Sequence, residues 1–134
     1  MAVGNAAYEN VIRPIPGLVA DGDLNVAATH QYHFVYLSGE FKVALAADNS
    51  LAIGVLCNLP KDGKAAAVAG VGSIVKLKCG TTITYGQKLC PKSDASGKAV
   101  VATTGDSVCA IALGGGNDGD YIPAYICGGA TISS

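Results

Sequence analysis

His30 and His33, three residues apart, are the first residues in this chain whose type and spacing could do chemistry. A shared metal ion needs both imidazoles on one side and a third ligand. On a strand, positions three apart face opposite sides, so the pair reads as surface or interface histidines. The loop Gly114-Gly115-Gly116-Asn117-Asp118-Gly119-Asp120 is a second candidate. A phosphate-cradling loop opens a helix and supplies a lysine; here Pro123 and strand-forming residues follow, and no lysine is near. A calcium loop needs a bidentate glutamate downstream, and the only glutamates are Glu9 and Glu40. The segment therefore reads as a hairpin loop.

The five cysteines, Cys57, Cys79, Cys90, Cys109 and Cys127, are odd in number and contain no CxxC. They match neither a disulfide framework nor a zinc site and read as small apolar side chains in a reduced protein. No serine or cysteine sits in a nucleophile-elbow pattern, and the aspartates fall at turn positions, where they cap backbone donors. These residues predict no enzyme, no cofactor and no metal.

With 134 residues the chain is one domain in size. Nine Lys/Arg against ten Asp/Glu leave a net charge of -1, without the basic excess a nucleic-acid binder uses to neutralise phosphates. Half the residues are apolar, only 14% are charged, and 18 are Gly. Mean hydropathy is +0.38. A small chain of this kind cannot bury all its apolar residues in its own core, so the remainder must meet lipid, like subunits or a partner. The longest uncharged run, Leu24 to Gly39, is broken by Asn25, Thr29, His30, Gln31 and His33, so no membrane helix is expected. Met1 to Asn10 shows no basic and apolar signal pattern. A subunit or partner surface remains.

The elements follow from punctuation. Residues 1–30 have no period, and Arg13-Pro14-Ile15-Pro16-Gly17 is held extended by its prolines. This stretch reads as an extended N-terminal arm that docks on a neighbour through Tyr8, Val11, Ile12, Ile15 and Leu18, separable from a single β domain over 31–134. From Gln31, strands are expected at Tyr32–Leu37, Phe41–Ala46, Leu51–Cys57, Ala65–Ala69, Ser73–Cys79, Gln87–Pro91, Lys98–Ala102, Val108–Leu113 and Asp120–Cys127, with turn residues between them. Such spacing predicts an all-β sandwich or small barrel of short antiparallel strands. A weak repeat accompanies it. Val43-Ala44-Leu45 and Leu51 to Leu56 recur as Val100-Val101-Ala102 and Val108 to Leu113, an offset of 57, each followed by Asp-Gly, at Asp62-Gly63 and Asp118-Gly119.

The order of motifs from Ala65 to Cys127 is specific enough to compare. Ile83-Thr-Tyr-Gly86-Gln-Lys-Leu89 leads to Ser93-Asp-Ala-Ser-Gly97-Lys-Ala-Val-Val-Ala102, then Gly105-Asp106-Ser-Val-Cys-Ala110-Ile-Ala-Leu113, and Gly119-Asp120 before the last strand. This order resembles the capsid cement, or head decoration, proteins of tailed bacteriophages. Leu51-Ala-Ile-Gly54-Val-Leu56 and Asp62-Gly63 fit the first module of that family. The arm, longer than expected, and the cysteines depart from its pattern. The resemblance implies a structural virion protein, often a homotrimer, made in the host cytoplasm. It would bind the major capsid protein on the capsid exterior and stabilise the head, without direct contact to nucleic acid or membrane. The candidate capsid or subunit interface is then Tyr8, Val11, Ile12, Ile15 and Leu18 on the arm, with Tyr32, Phe34 and Tyr36 on the first strand. A small-molecule or carbohydrate-binding domain, using the cluster Tyr32, His33, Phe34 and Tyr36, and another virion part such as a tail or spike subunit are the alternatives.

Overall fold

The computed structural model describes residues 12–24, 31–46, 52–94, 96–103 and 106–131. Tyr8, Val11 and His30 lie outside the described residues. The fold is all-β. The strands are β1 (Val19–Ala20), β2 (Phe34–Gly39), β3 (Lys42–Leu45), β4 (Ala52–Leu56), β5 (Val68–Ala69), β6 (Ile74–Lys78), β7 (Lys88–Pro91), β8 (Ala99–Val101), β9 (Ser107–Ala112) and β10 (Tyr121–Thr131). They form two five-stranded sheets, β1-β3-β2-β4-β5 and β6-β10-β9-β7-β8. Nine of them overlap the segments that turn punctuation marks; β2 and β10 run past theirs, to Gly39 and Thr131, and β9 starts one residue earlier, at Ser107. In β6 the alternation is clean: Val75 and Leu77 are buried, while Lys76 and Lys78 point the other way.

Both sheets repeat one topology. The order β3-β2-β4-β5 in the first sheet returns as β8-β7-β9-β10 in the second. The hydrogen bonds repeat as well. Ala20 N donates to Lys64 O at 2.9 Å, as Cys79 N does to Asp120 O at 2.8 Å. Gly63 N donates to Ala20 O at 2.9 Å, and Gly119 N to Cys79 O at 2.9 Å. Asp21 N donates to Val43 O at 2.9 Å, and Gly80 N to Ala99 O at 2.7 Å. Val43 thus corresponds to Ala99, an offset of 56 rather than the 57 read from the sequence. The runs are so rich in Ala and Val that they align about as well one residue out of step, yet in a strand one residue exchanges the two faces. The turns at Gly63 and Gly119 match too, with φ of 76° and 93°, a conformation glycine enters without a steric cost.

This topology gives residues 12–24 a place in the fold. Pro14 bridges Ala69 antiparallel, and β1 pairs with β3 in parallel. On its other side, Leu18 O accepts Ala66 N at 3.0 Å. The segment expected as part of a separable arm therefore curls the first sheet over its own core, in the position β6 and Cys79 hold in the second. That core contains Leu18, Ala20, Leu24, Val35, Val43, Leu56, Ala66 and Val68. A larger cluster joins the sheets through Phe34, Val55 and Ala69 from the first and Val75, Leu77, Leu89, Ile122, Ala124 and Ile126 from the second. The five cysteines are free thiols; Cys79, Cys90 and Cys109 are buried.

Candidate interaction surfaces

The sequence-predicted interface residues separate into distinct environments. Ile12 is 41% exposed, whereas Leu18 is buried in the first sheet's core. Ile15 is half-buried, with its amide donating to Val68 O at 3.1 Å. Phe34 is fully buried between the sheets, so no surface of it is offered to a partner. Tyr32 and Tyr36 are half-buried and pack on the inter-sheet cluster. His33 is buried and donates from Nδ1 to the Gln31 carbonyl at 2.9 Å. The surface signals are thus Tyr32, just before β2, and Tyr36 and Leu37 within it; Leu37 is 50% exposed.

Ile15 and Pro16 do meet a cleft. With Leu18, Leu37, Phe41 and Ile53 they line an apolar hollow of about 440 Å³, bordered by Glu40. Phe41 stands at its rim on the β2–β3 turn, in a left-handed conformation with φ of 55°. A bulky residue rarely adopts that backbone. It is also 61% exposed, so an apolar ring is held out to solvent on a strained turn.

The second surface was not singled out from the sequence. On the outer side of the second sheet, ladder pairs align Ile74 with Tyr125, Tyr125 with Ile111, and Ile111 with Lys88. Lys78 opposes Tyr121, and its Nζ sits 4.6 Å from that ring's centre. Tyr32 meets Tyr121 edge to face at 5.8 Å. The alternation of β10, with Ile122, Ala124 and Ile126 inward and Tyr121 and Tyr125 outward, was the available signal.

Five of the described aspartates, Asp23, Asp62, Asp94, Asp106 and Asp120, accept hydrogen bonds from backbone amides. Asp106 accepts from Thr103 N at 2.9 Å and Thr103 Oγ1 at 3.1 Å, which holds its carboxyl below the ordinary range. Asp120 accepts from Asn117 N at 2.9 Å, closing the glycine-rich loop, and Asp62 accepts from Gly22 N at 2.9 Å. Burial pushes the Cys57, Cys79, Cys109 and Cys127 thiols up, with the Asp120 and Asp118 charges adding to the effect at Cys79.

No family model matches the chain, and no curated protein matches it. Among solved structures, the fold is similar to that of the N base of head fiber gp8.5 of bacteriophage phi29. The TM-score is 0.63 at 17% identity, over 92% of this chain and 100% of that one.

Proposed function

We propose that this chain is a structural virion protein: a cement or decoration subunit that binds the outside of a bacteriophage capsid and stabilises it, without catalysis. The observation that carries the reading is the fold shared with a phage head fiber base along nearly the whole chain. The motif order between Ala65 and Cys127, read independently, favours the same class. Two exposed apolar surfaces, around Phe41 and around Tyr125, suit a subunit that hides area against neighbours. In this reading the partners are the major capsid protein and further copies of the chain, as a homotrimer on the capsid exterior. Five of the described carboxylates are engaged by backbone amides in turns and loops, which favours a scaffold over an acid–base site. The apolar lining of the Phe41 cleft offers few of the convergent polar groups that a small-molecule site uses.

The test is made on virions. Gradient-purified particles of the phage encoding the chain should contain it in many copies, and antibody against it should label heads. Heads lacking it should lose DNA at lower temperature and recover when the purified protein is added back. Absence from the particle, or label confined to tails, would refute the proposal.

A further inference from the structure

Each sheet has an inner face, curled over its own core, and an outer face. In the first sheet the outer face carries the row Phe34, Val55 and Ala69, joined by ladder pairs and fully buried. The second repeat covers it. At the margin of that face the β7–β8 turn wedges Gly97 into the end of the β2–β3 ladder: Gly97 O accepts Phe34 N at 2.7 Å, and Gly97 N donates to Ala46 O at 3.1 Å. A Cβ at Gly97 would lie 2.7 Å from Phe34 O, so the tip touches backbone.

The equivalent row in the second sheet is Lys88, Ile111 and Tyr125. It is open: Tyr125 is 39% exposed, Lys88 is exposed and Ile111 half-buried. The residue equivalent to Gly97 is Phe41, since Phe41-Lys42-Val43 aligns with Gly97-Lys98-Ala99 and both lead residues have positive φ, 55° and 77°. The chain therefore covers one outer face with its second repeat and leaves the other outer face open; the Phe41 ring is open as well, although the Phe41 carbonyl accepts Val19 N at 2.9 Å. The charges of the Phe41 tip and the open face are complementary. The exposed Glu40 adjoins the Phe41 tip, and Asp21 is held to Ser38 Oγ of the same hairpin at 2.7 Å; Lys42 is the cation there. The face carries Lys76, Lys78 and Lys88, and β6, β7, β9 and β10 contain no carboxylate.

The geometry points to self-association in which the Phe41 tip of one copy docks on the outer face of the second sheet of the next. This deepens the self-association in the proposed function and rests on that part of it. The contact joins two different surfaces, so it is heterologous and closes into a ring or runs on as a filament. An apolar centre with a charged rim is the usual anatomy of such an interface, and Lys78 ordered over Tyr121 lowers the ordering cost.

Sedimentation of the full chain at roughly 100 µM, a concentration at which interfaces of this type assemble, tests it. The wild type should be oligomeric. Phe41→Ser and Tyr125→Asp should each be monomeric. Mixed one to one they should give dimers and nothing larger, because each variant keeps one working surface. Glu40→Lys and Lys88→Glu alter only exposed charges and leave folding intact; each should weaken association about fivefold, as rim charges do, and one chain carrying both should regain most of the loss. A monomeric wild type, an oligomer indifferent to these changes, or a variant mixture without dimers would overturn the inference. If the wild type is monomeric and Tyr125 becomes protected only on heads, the face belongs to the capsid and the inference falls. A monomer leaves the virion assignment standing, since that is read on purified particles.

Discussion

Replacing Leu18 with alanine separates a strand from an arm. Leu18 is 5% exposed and packs with Val35, Val43, Leu56 and Val68. Leu18→Ala removes roughly three methylene equivalents at ~0.8 kcal/mol each, about 2.4 kcal/mol of transfer free energy. The closed first sheet cannot collapse freely around the gap, because β1 is hydrogen-bonded on both sides, to Phe41 O at 2.9 Å and from Ala66 N at 3.0 Å. A cavity contribution therefore adds to the loss, for a total of about 3 to 4 kcal/mol. Against a total stability on the order of 5–15 kcal/mol, this should lower the melting temperature by roughly 10–15 °C in a domain of this size. Ile12→Ala, six residues earlier at a 41% exposed position, should change stability by under about 0.5 kcal/mol. Urea unfolding followed by circular dichroism measures both. If Leu18→Ala costs less than about 1 kcal/mol, the segment does not close the first sheet and the curled architecture is refuted.

Three further outcomes are expected. Gly54→Ala should destabilise by more than about 2 kcal/mol, since its Cβ would lie 2.2 Å from Ala69 O; Gly63→Asn, at φ of 76° with open space around it, should be nearly neutral in the same urea assay. The raised thiols of Cys57, Cys79, Cys109 and Cys127 keep their protons in the folded state at pH values where the unfolded chain releases them. Stability is then full below the ordinary thiol pKa and falls as pH rises past it, and a thiol reagent at pH 7 should label native protein far more slowly than denatured protein. Asp106, held low chiefly by the Thr103 amide, has the opposite sign: its contribution is present above the ordinary carboxylate range and is lost as pH falls through the folded value. Asp106→Asn should therefore narrow the difference in melting temperature between pH 6 and pH 3, and only slightly, because the group is exposed.

The sequence by itself determined most of the strands, because turn chemistry is local. Asp62-Gly63 and Asp118-Gly119 mark turns whose glycines do adopt positive φ, and Ile74-Val75-Lys76-Leu77-Lys78 announces its two faces through a period of two. The Val19–Ala20 strand was not legible. It is two residues long, and its partners are Lys42 and Val43 on one side and the Lys64–Ala66 stretch on the other, so neighbouring residues carry no trace of the pairing. The same holds for the candidate surfaces. Phe34 and Tyr125 are both aromatic residues on a sheet's outer face, yet one is fully buried and the other 39% exposed. Alternation assigns a residue to a face; it cannot say which face receives a second layer. That was decided by how the second repeat lies on the first, through Gly97 against Phe34, a contact between residues 63 positions apart that only tertiary structure creates.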